Sequence, residues 1–222
     1  MTALLGSTIA RKVVMALSGL FLILFLAQHF TINFTSVIAP DTFNEWSHFM
    51  GYNPFVQFLL QPILLAGVII HFAMGIYLEI RNHKARKVKY VKFAGGANSS
   101  WASRNMIVTG LVVLAFLGLH IYDFWVHEMA FKYVTANPED PTRYYAETVE
   151  KFEPAWRTLI YVVAFILLAF HLWHGFASSI QTMGWNDKYN PLVKKITHIY
   201  AVFIPLGFII IALYHHFNPI TH

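Results

Sequence analysis

His29, His71, His120 and His171 each stand inside a run of apolar residues long enough to cross a bilayer. An ionisable side chain at membrane depth is costly, so it is rare unless it faces the protein interior and has a partner. Neutral imidazole is a strong ligand for haem iron, and two imidazoles on facing helices can hold one haem from both sides. A single intramembrane histidine is more often an interhelical hydrogen-bonding residue. Four of them on four segments, at two matching depths, predict two haem sites with four axial ligands.

The elements that must position these residues are membrane spans. The 222 residues are 57% hydrophobic and only 12% charged, and the apolar residues fall in blocks of the ~20 residues that cross a hydrocarbon core. The chain reads as an all-α membrane protein, one domain over 1–222, with spans at roughly 13–34, 56–79, 105–126, 158–180 and 196–216. No internal repeat stands out. Pro62 is tolerable near a helix start, and Pro205 predicts a bend in the fifth span. The absence of cysteine excludes disulfides, c-type haem attachment and cysteine-held iron–sulfur clusters. The N-terminal stretch lacks the layout of a cleaved signal and reads as the start of a retained helix.

Orientation follows from the basic residues. Twelve of the sixteen Lys and Arg fall on the side of the N-terminus, which predicts a cytoplasmic N-terminus and an outer C-terminus. At the helical rise, His29 lies ~26 Å beyond Lys12 and His120 ~24 Å beyond Arg104, both towards the outer surface, while His71 and His171 each lie ~15 Å from the inner surface. The expected pairs are His29 with His120 and His71 with His171, each across the diagonal of a four-helix core, with the fifth helix packed outside.

The remaining polar residues read more plainly. Gly19, Gly67, Gly75, Gly110, Gly118 and Gly175 supply flat helix surfaces for a macrocycle or a neighbouring helix. Arg104, with Ser103 beside it at the inner mouth of the third span, is a candidate haem-propionate partner, or else a positive-inside anchor. His174 follows His171 by one turn and cannot share its axial position; it is a candidate for a propionate or a quinone carbonyl. His198, His215 and His216 are expected at the membrane interface, and His48, His83 and His127 in loops. Trp46, Trp101, Trp125, Trp156 and Trp185 lie near span ends, as interfacial belt residues do. Residues 84–92 form a basic loop suited to anionic lipid or an acidic partner, and no nucleic-acid partner is expected.

The stretches SGLFLILFLAQHF, HFAMGIYLEIR, TGLVVLAFLGLHIY and HLWHGFASSIQTMGW carry a family resemblance over nearly the whole chain. It resembles the dihaem cytochrome b anchor subunit of succinate:quinone oxidoreductases, the class of bacterial succinate dehydrogenases and fumarate reductases with a single five-helix anchor. The resemblance implies that His29 and His120 bind a distal haem b and His71 and His171 a proximal one. In the fourth span the family pattern of a ligand followed by Gly175 and Gly184-Trp185 selects His171. It further implies flavoprotein and iron–sulfur partners on the cytoplasmic face of a bacterial inner membrane, menaquinone or another quinone as substrate, and a complex that could form a higher oligomer. No dicarboxylate site is implied on this chain. Some menaquinone-linked members carry a proton-conducting glutamate two residues before the fourth ligand; here that position is Ala169. Glu45 lies in the loop where the family has an acidic residue near an outer quinone site.

Two other readings fit parts of the pattern. One is the cytochrome b anchor of another quinone-linked dehydrogenase or hydrogenase, or a cytochrome b561-like protein. The other is a haem-free transporter using the histidines as a proton relay, which predicts no Soret absorption.

Overall fold

The computed structural model of the protein describes residues 7–85, 100–185 and 191–220. Arg86, Lys87, Lys89, Lys92 and Lys188, which weigh in the orientation and form most of the basic loop, lie outside the described residues. Among the described residues eight helices follow in order: α1 (Thr8–Ile38), α2 (Pro40–Tyr52), α3 (Val56–Lys84), α4 (Trp101–Arg104), α5 (Met106–Val134), α6 (Arg143–Phe152), α7 (Ala155–Thr182) and α8 (Pro191–Phe217). Five of them, α1, α3, α5, α7 and α8, are long and apolar enough to cross a membrane.

Local chemistry sets the ends. The Ser7 hydroxyl accepts from the Ala10 N–H at 3.0 Å and opens α1. Pro40 stands in the first turn of α2, where its missing N–H costs nothing. The Asn53 side chain accepts from the N–H groups of Phe55 and Val56 and opens α3. Gly184, at φ +95°, takes the left-handed conformation that closes α7, with the Trp185 N–H returning to the Ile180 carbonyl. The helices run past the expected spans, most of all α5, which continues from residue 126 to Val134. Within α5 the hydrogen-bonding pattern widens to π-helical turns at Ile121–Val126 and Ala130–Val134, the first beginning directly after His120.

The four helices α1, α3, α5 and α7 form a square. Neighbouring edges α1–α3, α5–α7 and α1–α7 pack closely, α3–α5 more loosely, and the diagonals approach hardly at all through their backbones. The fifth spanning helix packs outside this square, as expected, and closely against two of its helices. α8 lies in the groove between α1 and α7, makes its largest interface with α7, and is the most buried of the five. Its Ile204, Phe208, Ile211 and Ala212 join Phe30, Phe152, Tyr161 and Phe165 in the main apolar core. The reason lies in shape: α8 presents Gly207 to α1, and a Cβ there would stand 2.3 Å from the Phe30 ring. Gly67 likewise receives the Phe21 ring, so these two glycines seat aromatic side chains. A Gly207→Ala variant is therefore expected to overpack this contact and lose about 1–3 kcal/mol, read as an earlier thermal transition in detergent.

The short helices α2 and α6 pack on each other at the end of the bundle where α1 and α5 terminate and α7 begins. There the Asn44 side chain accepts from the Tyr145 N–H at 2.7 Å. Three histidines expected in loops are helical: His48 in α2 pairs with Glu139 at 2.7 Å, His83 near the end of α3 pairs with Glu79 at 2.9 Å, and His127 lies in α5. The five tryptophans near the span ends are exposed.

Candidate functional site: two facing imidazole pairs

α1 and α5 run parallel, and so do α3 and α7, so residues at equal depth on each diagonal face one another across the square. His29 and His120 have ring centroids 5.6 Å apart and planes at 87°. His71 and His171 have centroids 6.3 Å apart and planes at 73°. With metal–imidazole bonds of ~2 Å, two rings on opposite sides of one metal ion have centroids roughly 6 Å apart. Both pairs fit that separation. Among the described residues no cluster of three or more His, Cys, Asp or Glu could hold a bare metal ion. A haem asks less of the protein, since the porphyrin supplies four ligands and the chain only two.

The surroundings of the pairs differ. At the inner pair, the Ser18 hydroxyl of α1 lies 3.1 Å from His71 Nδ1, and the Thr109 hydroxyl of α5 lies 3.4 Å from His171 Nδ1. Each ring edge rests on the next residue: a Cβ at Gly19 would stand 3.3 Å from His71 Cε1, and one at Gly110 3.4 Å from His171 Cε1. At the outer pair, Phe25 stacks on His29 and Phe116 tilts against His120, and Phe208 of α8 closes on His29 at 5.7 Å. The Asn33 amide reaches His29 Nδ1 only at 3.4 Å, and His120 Nδ1 is buried with no hydrogen-bond partner among the described residues.

These correspondences expose a repeat that the sequence reading does not see. Residues 18–29 and 109–120 align without a gap, matching Ser18 with Thr109 and sharing Gly19/Gly110, Leu20/Leu111, Phe25/Phe116, Leu26/Leu117 and His29/His120. The second helix of each half carries His-x-x-x-Gly, at His71–Gly75 and His171–Gly175. Aligning the chain with itself at a spacing of 91 residues would have found it.

Other candidate residues fall around this frame. His174 lies one turn beyond His171 on α7, half-buried and in electrostatic contact with it. Arg104 and Ser103 end the short helix α4, whose Ser100 hydroxyl accepts from the Ser103 N–H at 3.2 Å; Arg104 is exposed. Glu45 is exposed on α2, next to Trp46. Trp46, Phe49 and Met50 of α2, with Gln28, Thr31 and Ile32 of α1, line an apolar groove of about 390 Å³. Gln28 directly precedes His29. His215 is fully buried within the protein, 2.8 Å from the Ser36 hydroxyl and stacked on Phe152. His216 contacts the Phe152 carbonyl at 2.9 Å. His198 stacks on Trp173 at 3.9 Å.

Two polar clusters towards the end of the bundle where α2 and α6 pack go beyond the sequence reading. Asp123, three residues after His120 and so on its face of α5, is buried at 1% exposure. It accepts from the Tyr161 hydroxyl at 2.9 Å, with Arg157 at 3.6 Å, and Tyr161 also packs against the His120 ring. An acidic residue placed one turn from a histidine in an apolar run is the signal for it. Further out, Glu128 pairs with Lys132 at 2.7 Å and with Arg143, and Arg143 also grips Glu147 at 2.7 Å. Lys132 donates in addition to the Gly51 carbonyl, tying α2 into the cluster. Burial works against the Arg143 charge, but the Glu147 and Glu128 carboxylates outweigh it and hold its proton more tightly than usual. Burial, reinforced by the Glu128 carboxylate, pushes the Tyr144 phenol above its ordinary range.

Fold and interior together define a class: an all-helical, multi-pass membrane protein whose core holds two facing imidazole pairs. Within that class the chain is similar to the succinate dehydrogenase cytochrome b558 subunit of Bacillus subtilis (strain 168), with 27% identity over 101 residues. That stretch is 45% of this chain and 46% of the relative, so the match spans about half the length of the curated protein. No family profile matches the chain, and no solved structure matches it.

Proposed function

We propose that the chain is the membrane-anchor cytochrome b subunit of a succinate:quinone oxidoreductase, holding two b-type haems through His29/His120 and His71/His171. The observation that carries this is the pair of imidazole separations, 5.6 and 6.3 Å, on the two diagonals of the square. The similarity to a succinate dehydrogenase cytochrome b subunit supports the same reading. When bound, the haems supply one-electron transfer between an iron–sulfur partner subunit and a membrane quinone. The chain's own residues hold the two groups at fixed depths, exclude water from them with the Phe30–Phe165–Phe208 core, and set the environment of each imidazole.

The partners are a flavoprotein and an iron–sulfur subunit, docked on the side of Arg11, Lys84 and Arg104, which the excess of basic residues in the sequence makes cytoplasmic. The membrane is then the bacterial inner membrane. The quinone, menaquinone or a relative, is assigned to the groove lined by Gln28, Trp46 and Phe49, whose apolar walls suit a quinone ring and whose Gln28 directly precedes His29 on α1. Glu45 directly precedes Trp46 of that groove. Arg157 is assigned to the outer haem's propionates and Arg104 to those of the inner haem.

The test is a reduced-minus-oxidised spectrum of the purified chain with a pyridine haemochrome titration, expected to give two haems b per chain. A folded preparation with no haem would overturn the reading. In helix α7 the register is tested by exchange: His171→Ala should lose the inner haem and His174→Ala should keep it. The reverse result would move the ligand to His174.

A further inference from the structure

Each imidazole of the inner pair has a hydroxyl on the neighbouring helix at its Nδ1. The Ser18 hydroxyl donates its single proton to the Met15 carbonyl at 3.0 Å, one turn back on α1. The Thr109 hydroxyl does the same on α5, reaching the Met106 carbonyl at 3.0 Å and the Asn105 carbonyl at 3.3 Å. A hydroxyl has one proton to give. On the haem reading the lone pair that faces the metal group is on Nε2, so Nδ1 carries the N–H; with the hydroxyl proton on the helix carbonyl, each oxygen accepts from it. His71 Nδ1, at 3.1 Å from Ser18, and His171 Nδ1, at 3.4 Å from Thr109, are then the N–H nitrogens, the Met106 carbonyl being a second acceptor for His171.

We propose that Ser18 and Thr109 are positioning residues that fix the tautomer and ring setting of the inner imidazole pair and tune the metal group held there, while the outer pair lacks this device. The proposal rests on the haem reading given above. Three observations carry it besides the hydrogen bonds. The two residues are repeat-equivalent, eleven positions before His29 and His120, so the arrangement occurs once in each half of the chain. Gly19 and Gly110 follow them directly and let the ring edges rest on the helix surface beside the hydroxyls. And Thr109 is buried at 1% exposure, so the acceptor side of its oxygen faces protein groups. At the outer pair, by contrast, His120 Nδ1 is buried without a partner among the described residues, and His29 meets only the amide of Asn33 on its own helix.

The chemical consequence has a sign. An Nδ1–H that donates to oxygen makes its imidazole a stronger electron donor through Nε2, which favours the oxidised metal. The two hydroxyls thus lower the potential of the inner haem below what the bare pair would give.

The experiment is a potentiometric titration and a low-spin EPR spectrum of the full chain with its haems, comparing wild type with Ser18→Ala, Thr109→Ala and the double variant. The inner haem is identified as the one lost in His71→Ala. The expected result is an upward shift of the inner haem's potential in each single variant, a larger one in the double, and a moved inner EPR signal. The outer haem in the same molecule stays unchanged as the control. Ser18→Thr and Thr109→Ser keep a hydroxyl and should return both signals. Unchanged inner signals, a shift confined to the outer haem, or a shift that the hydroxyl-bearing variants fail to reverse would overturn the proposal. If an alanine variant loses the inner haem, retention in Ser18→Thr or Thr109→Ser supports the assignment and loss there overturns it. A wild-type chain without haem would instead sink the cytochrome reading itself.

Discussion

Replacing either His29 or His120 with alanine should take the haem content of the purified chain from two per molecule to one. The two rings lie 5.6 Å apart on a shared site, so they act as one unit. Their effects are therefore expected to be non-additive: the double variant should also retain one haem, since the second substitution has nothing left to remove. The same holds for His71 and His171, which lose the other haem, and a His29/His71 double variant should hold none. The pyridine haemochrome reads each count directly. Haem lost in two separate steps from His29 and His120 would break the pairing across the diagonal and require another partner for each ring.

The second large effect lies outside the membrane interior. Arg143 is buried at about the same level as Lys132, and it holds two carboxylates, Glu128 from α5 and Glu147 from its own helix. Arg143→Ala would leave Glu128 with Lys132 as its cation and Glu147 with only His127, 3.8 Å away, in a poorly hydrated cluster. Breaking a buried pair from one side costs about 3–5 kcal/mol, because an uncompensated charge stays behind. A fall of the thermal transition of that size is expected, with α2 and α6 released from the end of the bundle. Adding Glu147→Gln to Arg143→Ala should recover part of the loss, since Glu147 is the acid left without its arginine, whereas Glu128 keeps Lys132. A variant that melts with the wild type would show that water, rather than Arg143, satisfies these carboxylates.

Much of this architecture is written in hydropathy. The five long helices follow from apolar runs, and the depth arithmetic from Lys12, Arg104 and Arg81 places the same four histidines opposite one another as the structure does. What hydropathy leaves out is polar. α2 and α6 are short and mixed in character, and only Pro40 marks the start of one of them. The widened turns after His120 have no sequence signature, because any residue can join a π-helical turn whose tertiary contacts require it. His215 looks like a residue of a frayed helix end, yet α6 folds over it and buries it. Asp123 reads as one outer acid among several until Tyr161 is placed against it. How closely α8 packs from outside the square is also not written in hydropathy; packing depends on shape, and Gly207 against Phe30 decides it.

The repeat that joins residues 18–29 to 109–120 gives the molecule an unusual division of labour. Each half of the chain contributes one imidazole to the inner pair and one to the outer, so neither half owns a site. The hydroxyl that braces an inner imidazole and the outer imidazole itself sit on a single helix, three turns apart. Any drift in the rotation of α1 or α5 would therefore disturb both centres at once, mechanically yoking two sites that share no ligand.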